Sequence, residues 1–317
     1  MSGSHGDEGS TRAVVAAFLA NLGIALAKFV AFALTGAASM LAEGVHSIAD
    51  TGNQGLLFLG ARRARRPPTA KHQFGHGRER YFWSFVVAVV LFTAGSLFAL
   101  LEGVEKLRRP HRLESPVWAV ATLVVAFVLE AFSLRTAVRE SQAVKGDLEW
   151  AAFIRHAKVP ELPVVLLEDT GALLGLGFAL VGVGLAEITG NPRFDAVGSI
   201  AIGLLLAVIA FVLATEMKSL LIGESAAPEV QVRICEALEG TPGIRRVIHL
   251  RTEHLGPDDL LVVAKIAVDP ERPSGETAAV IDRAEAAVRA EAPEARLMFL
   301  EPDVDRRMPA REMGGPS

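Results

Sequence analysis

Six apolar stretches separated by short polar ones fill the first two thirds of the chain: residues 13–34, 38–60, 81–104, 117–134, 162–186 and 196–215. Each is long enough to cross a hydrocarbon core as a helix. The pattern therefore predicts an α-helical membrane protein with six transmembrane helices. Thr35-Gly36 predicts a tight turn between the first two, and Pro67-Pro68 end the second. Tyr81, Phe82 and Trp83 open the third stretch and read as an interfacial aromatic belt. A polar stretch is expected from the end of the fourth to about residue 160.

From about residue 226 the pattern changes to that of a water-soluble domain. APEVQVRICEALEG reads as an amphipathic helix with Val230, Ile234 and Leu238 on one face. RRVIHLRTEHL and LLVVAKIAVD alternate as strands, with a turn at Gly256-Pro257. GETAAVIDRAEAAVRAEA reads as a second helix and RLMFLEP as a third strand. The order αββαβ predicts a small α+β, ferredoxin-like domain, with helices on one face of a three-stranded sheet. The organisation expected is a polar tail over 1–12, a six-helix membrane domain over 13–217, the αββαβ domain over 226–302, and a disordered tail over 303–317.

Composition sharpens this. The chain is 51% hydrophobic with mean hydropathy +0.36, more apolar than a soluble domain. One cysteine, Cys235, excludes a disulfide framework and a thiolate metal cluster, and reads as a packing residue. The N-terminal residues contain no signal-peptide apolar region, so the first stretch is expected to remain a membrane helix. Positive charge orients the helices. Residues 61–80 carry seven Lys/Arg, and Arg135, Arg139, Lys145, Arg155 and Lys158 lie between the fourth and fifth stretches. Lys106, Arg108, Arg109 and Arg112 argue the other way. The balance places both termini in the cytoplasm.

Candidate chemistry begins on the second stretch, ASMLAEGVHSIADTGNQGLLFLG. At 100° per residue, Ser39, Glu43, His46, Asp50, Asn53/Gln54 and Leu57 fall on one stripe. A charged group at the bilayer centre costs about 2.5–3.5 kcal/mol on insertion scales, so the stripe must face protein, water or an ion. His46 and Asp50 lie one turn apart, the spacing that lets two side chains hold one cation. A buried His–Asp hydrogen bond between helices is the plainer alternative. The fifth stretch, VVLLEDTGALLGLG, carries Glu168 and Asp169 side by side. They point about 100° apart, and Asp169 shares its face with Val165. Gly171 and Gly175 permit close helix approach. His46, Asp50 and Asp169 together make an N/O site that suits Zn²⁺, and also Fe²⁺, Co²⁺ or Mn²⁺. The alternative is that Glu168 or Asp169 pairs with Lys28 or a loop arginine.

In the basic loop, His72 and His76 are four apart and suit a metal if the loop is helical; an ordinary surface loop is the other reading. His249 and His254 read as surface residues on opposite faces of a strand.

AEGVHSIADTGNQ and HQFGHGRERYFWSF, followed by six spans and an αββαβ domain, resemble the cation diffusion facilitators, the zinc-transporter family, over nearly the whole chain. The sequence VVLLEDTGALLG is most similar to the zinc-transporter-nine-like branch. The resemblance implies a homodimeric membrane transporter that exports divalent cations, Zn²⁺ foremost, from the cytoplasm in exchange for protons. No prosthetic group and no enzymatic activity are implied. His46 and Asp50 match the two ligands of the family's second helix, and Asp169 the second ligand of its fifth. Val165 stands where the family has His or Asp, so Glu168, Asn53, Glu43 or water is left to complete the shell, with Glu168 first. His72 and His76 match the family's loop site, although Thr69 stands where a carboxylate often lies. An intramembrane metalloenzyme and a non-transporting scaffold with a degraded site are the rival classes; the sequence contains no HExxH motif.

Overall fold

A computed structural model describes residues 38–110 and 116–304, together with 18, 19, 22, 23, 25, 26, 29, 30 and 33. At 38–47, 49, 50, 116, 118, 119 and 156 the description is of the backbone alone. The predicted N-terminal tail, residues 305–317 of the predicted C-terminal tail, the Thr35-Gly36 turn, Lys28, and the side chains of Glu43, His46 and Asp50 thus lie outside the described residues, while Asp303, expected in the disordered tail, ends the last strand. The chain divides into two units, Met1–Ile222 and Gly223–Ser317.

In the first unit the described positions between 18 and 33 are helical. The helices that follow are α1 (Ala38–Ala64), α2 (Glu79–Arg108), α3 (Pro116–Lys145), a short α4 (Trp150–His156), α5 (Glu161–Thr189) and α6 (Arg193–Ile222). Among the described residues, α2, most of α3, α5 and α6 are each long and apolar enough to cross a membrane. The helices overrun the apolar stretches that predict them. Residues 135–145, expected as loop, continue α3, because RTAVRESQAVK holds good helix formers and keeps an inward face: Ala137 and Ser141, one turn apart, are both buried. The aromatic belt is also corrected. Tyr81 is fully buried against Met217 and Leu220, while its neighbour Phe82, about 100° round the helix, is exposed.

Two features shape α2. Its middle, Leu91–Leu97, is π-helical. There Thr93 Oγ1 donates to the carbonyls of Val89 and Val90, competing with the backbone ladder. Ser96 Oγ donates to the carbonyl of Gly203 on α6 at 2.8 Å. The other feature is close packing on α6 through reciprocal glycines. A Cβ on Gly103 would lie 2.7 Å from Ile200 Cγ1 and 2.9 Å from its backbone nitrogen, and one on Gly203 would lie 2.6 Å from Leu100 Cγ. Such small positions let helices approach where lipid gives no hydrophobic drive. Gly103→Ala is therefore expected to cost about 1–3 kcal/mol through overpacking. A lowered thermal midpoint of the detergent-purified protein is the expected result; an unchanged midpoint would mean that α2 and α6 can part without loss.

In the second unit α7 (Pro228–Glu239), β1 (Ile244–Gly256), β2 (Asp259–Val268), α8 (Ser274–Glu291) and β3 (Leu297–Asp303) follow in the predicted order. The sheet runs β1-β2-β3, antiparallel then parallel. Leu260, Val262, Ala264 and Ile266 of β2 pack with Ile234 and Leu238 of α7 and Val280, Ala284 and Val288 of α8, so both helices cover one face. Cys235 is partly buried and free. His254 is not a surface residue as expected but is buried, because the register sets it opposite Leu260 on the helix-covered face. His249, opposite Lys265, is exposed. Lys265 bonds Glu301 at 2.9 Å and Asp303 at 3.2 Å, and these bonds hold its ammonium above its usual pKa.

Candidate metal centre

The stripe on α1 turns inward where its side chains are described. Asn53, Gln54 and Leu57 are buried, whereas Ile48 and Phe58, off that stripe, are about half exposed. Positions 46 and 50 lie on the same helix, with Asp50 one turn before Asn53 and Gln54.

α5 supplies the acidic groups. Glu168 and Asp169 are 6% and 3% exposed, in a helix that is otherwise almost wholly apolar here. Being about 100° apart, they reach different neighbours. Glu168 faces α1: its Oε1 accepts from Asn53 Nδ2 at 2.9 Å and its Oε2 from Gln54 Nε2 at 3.1 Å. Asp169 faces α3: its Oδ2 accepts from Ser133 Oγ at 2.8 Å. These three donors, two amides and a hydroxyl, are uncharged. Val165, one turn before Asp169, is buried in an apolar cluster with Leu162, Leu166 and Leu213. Gly171 and Gly175 place α5 against Ile209 and Ile202 of α6, as the small-residue spacing predicts.

Two turns toward the start of α5 lies a group that sequence reasoning missed. Arg80 Nε donates to Glu161 Oε1 at 2.6 Å and Arg80 Nη2 to Glu161 Oε2 at 2.9 Å. Both residues are almost fully buried. Arg80 therefore belongs to α2, not to the basic loop in which its charge is counted.

The loop histidines come together without a helix. A turn at Gly75, with φ +87°, brings the His72 and His76 rings to 4.8 Å between centroids. The His72 N–H donates to Thr69 Oγ1 at 3.1 Å. His76 Nδ1 is buried and has no partner. Among the described residues, no three His, Cys, Asp or Glu side chains converge. The predicted set His46–Asp50–Asp169 includes two side chains outside the description.

Residues 14–222 match the family described as "Cation efflux transmembrane domain", and residues 226–299 match "Cation efflux protein, cytoplasmic domain". The chain belongs to the cation efflux family. Its family is one of membrane transporters, not enzymes. This cation efflux chain is 36% identical over 246 residues to the proton-coupled zinc antiporter SLC30A9, mitochondrial, of Mus musculus, which covers 76% of this chain and 43% of that protein. It is 29% identical over 262 residues to metal tolerance protein C4 of Arabidopsis thaliana, covering 82% and 57%. It is 27% identical over 295 residues to the cation-efflux pump FieF of Pectobacterium atrosepticum, covering 91% of each. The chain thus spans less than half the length of the SLC30A9 proteins it matches.

Proposed function

We propose that this chain is a secondary transporter that exports divalent metal cations, Zn²⁺ foremost and Fe²⁺, Mn²⁺ or Co²⁺ by the same donor chemistry, in exchange for protons. The observation that carries the reading is the adjacent pair of buried carboxylates on α5, each oriented by uncharged donors from a different helix. Intramembrane carboxylates are costly, and they mark ion pathways. The likeness to a protein named as a proton-coupled zinc antiporter supports the same reading.

In this reading Asp169, with His46 and Asp50, holds the ion, and Glu168 lies beside it. His46 supplies proton coupling, because an imidazole binds either a proton or a metal near neutral pH. Metal entering from the cytoplasm displaces the proton; protons from the other side displace the metal as the helices rock about the site. His72 and His76 offer a two-imidazole capture point at the mouth.

Six membrane-spanning helices complete the membrane domain over 13–217, with α1 and the segment 13–34 joining the four apolar helices. α1 has 27 residues, about 40 Å at 1.5 Å each, ample for a bilayer. Both termini lie in the cytoplasm. One cation that opposed this orientation, Lys106, lies within α2, bonded to Asp195 at 3.0 Å and Glu102 at 3.1 Å. It fastens α2 to α6 and is not a free loop charge.

Residues 226–302 serve as the dimerisation domain of a homodimer. Deleting 226–317 is expected to weaken self-association and reduce transport, read by light scattering in detergent at equal concentration. A truncated protein as dimeric as the full chain would put the interface among the membrane helices. The proposal as a whole is tested by metal flux into sealed vesicles containing the purified chain, with a pH gradient imposed. Gradient-dependent accumulation is expected, and neither an enzyme nor a degraded scaffold would give it.

A further inference from the structure

Asn53, Gln54 and Glu168 make an arrangement that the three-ligand reading does not use. Asn53 is 3%, Gln54 0% and Glu168 6% exposed. Both amide nitrogens donate to the Glu168 carboxylate, at 2.9 and 3.1 Å. Both amide oxygens, Asn53 Oδ1 and Gln54 Oε1, are buried and have no hydrogen-bond partner. Native structures leave few buried acceptors unpaired, and two such oxygens on adjacent residues flanking one carboxylate call for an explanation.

A cation provides one. The two NH₂ groups, each carrying partial positive charge, lie within hydrogen-bond distance of the two carboxylate oxygens, one on each. A half-turn of each terminal amide torsion exchanges the donor end for the acceptor end, and this torsion is broad and roughly two-fold. Each carbonyl oxygen then lies beside one oxygen of the carboxylate, where the two can share a cation. The resulting set contains oxygen only, which is the chemistry of hard divalent cations such as Mn²⁺ and not of the nitrogen-preferring Zn²⁺.

We propose that Asn53, Gln54 and Glu168 form a second, oxygen-only cation subsite between α1 and α5, selective for hard divalent ions, in which the amides hold the carboxylate when the subsite is empty and turn to bind the ion when it is filled. The proposal rests on reading the Asp169 site as a metal site, and it sets Glu168 apart from that site. Asp169 is tied to α3 through Ser133, whereas Glu168 is tied to α1.

The test is titration of the purified full-length chain with Mn²⁺ alone, following free Mn²⁺ by its paramagnetic resonance signal. Asn53→Leu and Gln54→Met, which remove one carbonyl each, are expected to weaken binding about tenfold or more. Asn53→Asp and Gln54→Glu change only an NH₂ to an oxygen and so preserve shape. They are expected to tighten Mn²⁺ binding about tenfold, because added ligand charge raises affinity. If the amides serve only to pin α1 to α5, removing a carbonyl in Asn53→Leu or Gln54→Met would leave Mn²⁺ binding unchanged. Unchanged or weaker binding by the folded Asn53→Asp and Gln54→Glu proteins overturns the subsite, as does wild-type affinity in Asn53→Leu. Asp169→Asn separates the two readings. It is expected to lose Zn²⁺ binding while keeping Mn²⁺ at the subsite. Wild-type Zn²⁺ uptake by Asp169→Asn would overturn the reading of Asp169 as a ligand of the transported ion, whereas loss of Mn²⁺ along with Zn²⁺ would overturn the independence of the subsite.

Discussion

Asp169→Asn is expected to abolish proton-driven zinc uptake while leaving the protein folded. The substitution keeps the shape of the side chain and leaves an oxygen to accept the Ser133 hydroxyl proton, so the α3–α5 contact survives. What it removes is the negative charge at a position 3% exposed to solvent. A neutral amide is a poor partner for a divalent ion that must leave its hydration shell, whereas a carboxylate offsets that loss. Losing a ligand outright should exceed the 10–100-fold typical of losing a supporting residue, so a fall in zinc affinity of more than about a hundredfold is expected. Ser133→Ala provides the graded comparison. It removes only the hydrogen bond that orients Asp169, and it should weaken zinc binding by about 10–100-fold without eliminating it. Calorimetric zinc titration of the three proteins reads both effects. Equal affinities throughout would remove Asp169 from the site.

The other large effect belongs to stability. Arg80→Ala strips the bidentate guanidinium from Glu161, which is 1% exposed, and leaves a buried carboxylate without that partner. Breaking one side of a buried pair costs about 3–5 kcal/mol. Arg80→Lys should recover only part of this, since an ammonium cannot reproduce two parallel N–H bonds. The double variant Arg80→Met with Glu161→Leu should be far less destabilised than Arg80→Ala, because apolar replacement of a whole buried pair is often neutral. Denaturant unfolding in detergent distinguishes these outcomes. A double variant as unstable as Arg80→Ala would mean that Arg80 matters for its contacts beyond Glu161.

The periodicity of the sequence carries the architecture because lipid and core packing both act on apolar period. The αββαβ unit is legible for the same reason, down to the face of Val230, Ile234 and Leu238. Helix ends are not, since residues such as 135–145 continue a helix by propensity and by a narrow buried stripe at Ala137 and Ser141. The belt reading of Tyr81 fails because an aromatic at a helix start fits an interface or a core equally well in sequence; only the neighbouring α6 residues Met217 and Leu220 decide it. In the site, Glu168 and Asp169 stand out by their cost in an apolar helix. Their partners do not. Ser133 is an ordinary polar residue on another helix, and the pairing of Arg80 with Glu161 joins residues 81 positions apart that no local spacing connects. His254 turns inward through a register that β1 shifts by bulges, which alternation along the strand cannot reveal.

Simultaneous recording of internal zinc and internal pH in one population of sealed vesicles tests the central claim most directly. The vesicles contain the purified full-length chain and start acidic inside. With wild type, external zinc is expected to accumulate inside while the lumen turns alkaline in step, and with Asp169→Asn neither change should occur. Zinc entry that leaves the internal pH unmoved, or coupled fluxes of wild-type size in Asp169→Asn, would contradict metal–proton exchange at this site.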